Sequence, residues 1–92
     1  MKRDLQKIPG VGESLAQDLL DLGYRRATDL VGENPAEMYE RLCSLRSMPI
    51  DRCVLYVFRG AVYYASTQDP EPELLNWWNW SDARMAARVA SH

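Results

Sequence analysis

Residues 8–12, Ile-Pro-Gly-Val-Gly, separate two stretches whose apolar residues recur with helical spacing. The first stretch is short and carries Leu5 on its apolar side. The second has leucines and an alanine on one stripe through residues 13–22, and it stops at Gly23, a residue type that commonly ends helices. The pattern predicts a hairpin over residues 3–23, in which two short helices meet at a glycine-containing turn.

The turn has the chemistry of an anion site. Two glycines give it access to positive φ and let a partner approach the backbone without a Cβ in the way. The turn leads into the N-terminus of the second helix, where unbonded N–H groups and the helix dipole favour a negative charge. These arguments predict that the backbone amides around Gly10, Val11, Gly12 and Ser14 hold a phosphate, such as that of DNA. The alternative is a tight turn with a structural role only.

The rest of the chain also has helical spacing, without strand alternation or a repeat. Asn34-Pro35 predicts a helix start, because asparagine is a favoured N-cap and proline a favoured first residue. The longest predicted helix covers residues 50–66. The fold expected is all-α, a compact single domain of about five short helices over residues 4–80. A tryptophan-rich cap covers 70–80, and residues 81–92 are either a frayed helix or a tail.

The charge and hydropathy of the chain limit the classes of function that we expect. Eleven basic and 13 acidic residues give a net charge of −2, which argues against a generally basic nucleic-acid binder. Residues 1–26 carry a net charge of +1 and the remainder −3, so the bias favours the hairpin end. No apolar run approaches the length of a membrane span, and the N-terminus lacks the apolar stretch of a signal peptide. We therefore expect a cytoplasmic protein with no membrane partner.

The usual catalytic residue types are scarce. His92 is the single histidine, and Cys43 and Cys53 lack metal-site spacing. We expect no enzyme activity, no cofactor, no metal centre and no small-molecule substrate. The two cysteines could form a reversible disulfide, although buried free thiols are the common cytoplasmic outcome.

The turn at residues 8–12 resembles the hxGhG hairpin of helix-hairpin-helix modules in polymerases, ligases, glycosylases and nucleases. The resemblance implies amides that bind the sugar-phosphate backbone without reading bases. It also implies a monovalent cation held by hairpin carbonyls, here those of Ile8 and Val11. Such modules commonly have Lys or Arg in the first turn of the second helix, where this chain has Glu13 and Ser14. Nearby positive charge is then left to Lys7, Arg25 and Arg26, together with Lys2 and Arg3.

Over about residues 4–81 the chain resembles a small bacterial family of pathogenicity-locus proteins, some of them named mitomycin-resistance proteins. Four segments carry the resemblance: IPGVGESLAQDLLDLG at 8–23, DLVGENPAEMYERLC at 29–43, DRCVLYVFRGAVYYAS at 51–66 and PEPELLNWWNW at 70–80. It implies a SAM-like fold with tandem helix-hairpin-helix halves, the second half, residues 28–66, being degenerate. The resistance name implies a link to DNA damage or its repair.

Two aromatic clusters provide further candidate contacts. Arg52, Tyr56, Arg59 and Tyr63 share one face of the longest predicted helix. They could contact phosphates and bases, or they could pack on neighbouring helices with the arginines paired to acids such as Glu37 or Glu40.

Trp77, Trp78 and Trp80 cannot all point the same way on a helix. We expect one or two of them to close the core and one to remain as an interaction anchor or stacking platform. The function predicted is weak, non-sequence-specific DNA-backbone binding. The alternative is a protein-interaction adaptor that uses the tryptophan-rich segment or the Arg/Tyr face.

Overall fold

The computed structural model describes residues 2–90, and this part of the chain contains α-helices and 3₁₀ turns but no strand. The five helices are α1 (Lys2–Gln6), α2 (Glu13–Asp21), α3 (Pro35–Arg46), α4 (Arg52–Ser66) and α5 (Asp82–Ala90). The 3₁₀ turns cover Ala27–Leu30, Pro72–Leu75 and Trp77–Trp80. The predicted all-α single domain is confirmed, and its radius of gyration is 12.7 Å.

Helix α2 ends where the glycine pattern predicted. Gly23 has φ +101°, and its N–H donates to Leu20 O over 3.0 Å. The N–H of Tyr24 donates to Leu19 O over 2.9 Å, which completes a Schellman motif. This termination turns the chain away from α2 and buries the Tyr24 side chain.

Side chains cap the next two helices. Asn34 Oδ1 accepts from the N–H groups of Ala36 and Glu37 over 2.9 and 3.3 Å, as expected of an N-cap. Helix α4 begins at Arg52 rather than at residue 50, because Asp51 Oδ1 accepts from Cys53 N over 2.9 Å and so fixes the helix start.

Helix α4 lies at the centre of the domain, and its Phe58 and Ala61 are fully buried. Leu5, Ile8 and Val11 enter the same core from α1 and the turn after it. The remaining core residues are Ala16, Leu19, Leu22, Tyr24, Leu30, Met38, Leu42 and Val57. Each large apolar side chain buried here contributes about 1.5–3 kcal/mol relative to its exposed state. The hairpin is therefore anchored to the domain by its own apolar residues.

The chain after α4 first forms 3₁₀ turns and only then a further α-helix. The tryptophan-rich segment forms two successive 3₁₀ turns, and Ser81 begins the approach to α5. Of the two alternatives for the residues after 81, the structure contains the helix, at Asp82–Ala90. Between residues 2 and 90, no helix combines the length and the apolar character that a membrane crossing requires.

Candidate functional site

The hairpin turn alternates buried side chains with exposed backbone. Ile8 and Val11 are 1% and 5% exposed, whereas Gly10 and Gly12 are exposed. Val11 N–H donates to Ile8 O over 3.1 Å and closes the turn. Gly10 has φ +86°, a conformation that L side chains rarely adopt. The apolar residues thus fix the turn from beneath and leave glycine backbone on its outer side.

The N-terminus of α2 has no side-chain cap within the described residues. Gly12 is the N-cap residue, and its carbonyl accepts from Ala16 N over 2.9 Å. Of the predicted donors, Val11 N–H is already used inside the turn, while Gly10, Gly12 and Ser14 are exposed. Helix amides without a capping oxygen, on an exposed glycine turn, are suited to binding an anion.

The two glycines face different surroundings. A Cβ built on Gly12 would meet nothing within 4 Å. A Cβ built on Gly10 would lie 3.7 Å from Val57 Cγ1 and 3.8 Å from Trp77 Cδ1. The Gly10 side of the hairpin therefore rests on α4 and the tryptophan-rich segment, and the Gly12 side is open.

The Ile8 carbonyl, one of the two predicted to hold a cation, lies in the closed turn. It accepts one hydrogen bond, from Val11 N–H, and a carbonyl oxygen has two lone pairs.

The predicted basic residues lie on two parts of the chain, before and after α2. Lys7 is adjacent to the turn and 71% exposed, with its Nζ 3.7 Å from Asp4 Oδ1. Glu13 is exposed at the first position of α2, close to the same amides. Arg25 and Arg26 are exposed beyond the other end of α2. The next residue, Ala27, donates its N–H to Asp4 Oδ2 of α1 over 2.8 Å, so the chain returns to α1 after α2 ends.

Asp29 fixes the backbone that carries this arginine pair. Its Oδ2 accepts from the N–H groups of Arg25 and Arg26 over 2.9 and 3.0 Å. These two hydrogen bonds hold the pKa of Asp29 below its usual value. The arginine pair therefore lies on an ordered turn that follows α2.

The start of α5 contacts the Arg/Tyr face through Asp82. Arg52 Nε donates to Asp82 Oδ2 over 2.5 Å, and Arg59 Nη1 donates to Asp82 Oδ1 over 2.9 Å. Tyr56 O–H donates to Asp82 Oδ2 over 3.2 Å. The hydrogen bonds from Arg52 and then Arg59 lower the pKa of Asp82. The arginines thus pair with Asp82, and not with Glu37 or Glu40, which were the acids suggested by the sequence.

Tyr63 completes the same surface by packing. Its hydroxyl accepts from Glu71 N over 2.8 Å, and its ring centroid is 5.3 Å from that of Trp80. Arg59 also donates to Trp80 O over 2.8 Å. All four residues of the predicted face therefore contact the chain between residues 71 and 82.

The three tryptophans have different surroundings. Trp77 is half-buried and packs against the core, and Trp80 is half-buried against Gly60 of α4. Trp80 Nε1–H donates to Leu74 O over 2.6 Å. Trp78 is 51% exposed, with its ring 5.8 Å from that of Trp77 in an edge-on arrangement.

The cysteines are free thiols. Cys43 is half-buried, but Cys53 is exposed, so the expectation that both are buried is wrong for Cys53. Its position explains the difference, because Cys53 lies in the first turn of α4 beside the capping Asp51. The hydrogen bond with the Asp51 carboxylate raises the pKa of the Cys53 thiol.

Comparisons with known proteins agree with the sequence resemblance. No solved structure matches the chain. The chain is 28% identical over 81 residues to a protein named "Mitomycin resistance protein McrB" from Streptomyces lavendulae, an alignment that covers 88% of this chain and 73% of that protein. Residues 1–86 match the profile of the family described as "Pathogenicity locus". Because this match spans nearly the whole sequence, the chain belongs to the Pathogenicity locus family.

Proposed function

We propose that this chain is a helix-hairpin-helix module that binds the DNA backbone without reading base sequence. The observation that carries the proposal is the exposed Gly10–Gly12 turn, which leads directly into the uncapped N-terminus of α2. Backbone N–H groups and the helix dipole would then act together on one phosphate. Because backbone amides contact phosphate and not base edges, binding of this kind carries no sequence preference.

Charge near the hairpin is modest, and this sets the expected strength. Lys7 is the basic side chain beside the turn, and Glu13 opposes it. Arg25 and Arg26 would contact other phosphates, at the far end of α2. A monovalent cation at the carbonyls of Ile8 and Val11 would add positive charge where the side chains supply little. We expect weak binding that becomes stronger when a second module or a partner is present.

In the proposed tandem fold, residues 28–66 form the degenerate second half. The connection between α3 and α4 contains Ser47, Met48 and Pro49 and has no glycine. Ser47 takes the left-handed conformation there, with φ 55°. This connection therefore lacks the exposed glycine backbone of the first hairpin, so we assign phosphate binding to the first half alone.

The relative named for mitomycin resistance is compatible with a role at damaged DNA. On this proposal the chain is a binding module in DNA repair or in resistance to DNA damage, and it does not itself carry out a reaction. Its ligand would be DNA in the cytoplasm, with no cofactor and no small-molecule substrate.

A salt titration tests the proposal. Fluorescence anisotropy of a labelled DNA would give the affinity at 50 and 200 mM salt. Two or three phosphate contacts predict a loss of roughly 10- to 40-fold over this range. Two DNAs of unrelated sequence should give the same affinity and the same slope. An affinity that is independent of salt, or that differs strongly between the sequences, would contradict backbone binding.

A second candidate function is a protein-interaction adaptor. The exposure of Trp78 favours it, because tryptophan is a frequent anchor of protein interfaces. The net charge of −2 also suits a protein partner better than DNA. In this case the labelled DNA would show no binding at either salt concentration.

A further inference from the structure

Trp78 is the large aromatic side chain that the fold leaves most open among the described residues. Its exposed fraction is 51%. Trp77 and Trp80 are more buried than this, in contacts with α4 and the hairpin. About half of the Trp78 side chain is therefore open to solvent. A solvent-exposed aromatic face is the feature that proteins use to stack on nucleic-acid bases.

The location of Trp78 relates it to the hairpin. Trp77 lies against the Gly10 position, with its Cδ1 3.8 Å from the point that a Cβ would occupy there. Trp78 meets Trp77 edge-on, with ring centroids 5.8 Å apart. Trp77 thus contacts both the Gly10 position and the exposed ring, so Trp78 lies within one aromatic side chain of the glycine turn.

The backbone that carries Trp78 is ordered by its own hydrogen bonds. Asn79 N–H donates to Asn76 O over 3.1 Å, and Asn79 Nδ2 donates to Glu73 O over 2.6 Å. Trp78 O accepts from Ser81 N over 3.4 Å. Because the turn is fixed, less conformational entropy is lost when a ligand stacks on the ring.

The geometry points to Trp78 as a stacking platform for an unpaired base, adjacent to the phosphate bound by the hairpin. The inference rests on the proposed DNA-backbone binding and adds a ligand class to it, namely single-stranded or gapped DNA. In an intact duplex the faces of the bases are covered by their neighbours, so an indole beside the backbone cannot reach them. A strand with unpaired bases offers both the phosphate and an open base face.

The test compares three ligands of equal length with the full chain at low salt: a 12-nucleotide oligothymidine, a 12-nucleotide abasic strand and a 12-base-pair duplex. The wild-type chain should bind oligothymidine more tightly than the abasic strand. Trp78→Ala should lower the affinity for oligothymidine by about 5- to 150-fold and leave that for the abasic strand unchanged. Trp78→Phe, which keeps an aromatic face, should recover part of the loss.

Leu45→Ala is the matched control, because Leu45 is 50% exposed and lies on α3 beside the C-terminal end of α2. It should bind all three ligands as the wild type does. Circular dichroism and thermal unfolding of each variant verify that the fold is retained.

The outcomes separate this inference from the function on which it rests. If Trp78→Ala weakens binding of the abasic strand as much as that of oligothymidine, stacking is excluded while backbone binding stands. Stacking is also excluded, and backbone binding stands, if the wild type binds oligothymidine and the abasic strand with equal affinity. If no ligand binds at low salt, both proposals are wrong, and Trp78 is better explained as an anchor for a protein partner.

Discussion

The indole of Trp80 lies directly on the backbone of Gly60. A Cβ at position 60 would be 3.2 Å from Trp80 Cδ1 and 3.4 Å from Trp80 Nε1. The ring is held in place, because its N–H is bonded to Leu74 O and its centroid is 5.3 Å from that of the Tyr63 ring. Gly60 thus provides the space through which the tryptophan-rich segment packs on α4.

We expect Gly60→Ala to lower the free energy of unfolding by about 1 kcal/mol. Alanine in a helix interior normally adds about 1 kcal/mol relative to glycine, but overpacking costs about 1–3 kcal/mol. In a Trp80→Ala background the same substitution should instead stabilise the protein, because the contact is gone. Urea unfolding of the wild type, the two single variants and the double variant measures this coupling. Equal effects of Gly60→Ala in both backgrounds would contradict the packing account.

Asp82 makes the attachment of α5 depend on pH. Hydrogen bonds from Arg52 and Arg59 lower its folded pKa below the usual value of 3.8. A depressed carboxyl pKa stabilises the folded state at pH values above the unfolded pKa, and this contribution is lost as the pH falls through the folded pKa. We therefore expect Asp82→Asn to increase amide exchange in α5 at pH 7 and to differ progressively less from the wild type below about pH 4.

Asp69→Asn is the control for this experiment, since Asp69 is also an exposed carboxylate in the C-terminal part of the chain. It should leave exchange in α5 unchanged at every pH. Equal exchange in wild type and Asp82→Asn at pH 7 would show that the two arginines do not hold α5.

Gly12→Asp should weaken DNA binding without harming the fold. Gly12 has φ −91° and open space around its Cβ position, so an aspartate fits there. As an N-cap, its carboxylate would accept from the α2 amides and stabilise the helix by roughly a few tenths of a kcal/mol relative to glycine. The same carboxylate would occupy the donors intended for phosphate, so we expect affinity for DNA to fall about tenfold or more. Unchanged affinity would remove the α2 N-terminus from the site.

Glu13→Gln should have the opposite effect on binding. Removing a negative charge beside the hairpin amides should raise DNA affinity about two- to fivefold, at a stability cost of about 0.3–1 kcal/mol from the lost helix-dipole interaction. Glu37→Gln is the matched control, because Glu37 occupies the first turn of α3. It should lose similar stability and leave affinity unchanged, as measured by anisotropy at low salt.

Local signals in the sequence predicted most of the helix boundaries. Gly23 adopts the positive φ that its position implied, and Asn34 caps α3 through its side-chain oxygen. The hairpin could be predicted for the same reason, since glycine and apolar residues within five positions determine its turn. Each of these features depends on residues close together in the chain.

The contacts of the Arg/Tyr face could not be predicted in this way. Asp82 meets Arg52 across 30 residues and Arg59 across 23, and nothing in the local sequence selects it over the other acidic residues. The close contact of Gly60 with Trp80 is equally long-range. The return of the chain to α1 after α2, where Ala27 N–H donates to Asp4 Oδ2, is long-range in the same way.

The most direct test of the account is a titration of isotope-labelled protein with a short gapped duplex at low salt, followed through backbone amide shifts. Phosphate binding at the hairpin predicts that the amides from Gly10 to Ser14 move first and furthest, and that added salt reverses the movement. Shifts confined to other parts of a folded chain, with the Gly10–Ser14 amides unmoved, would contradict it and leave the hairpin a structural turn.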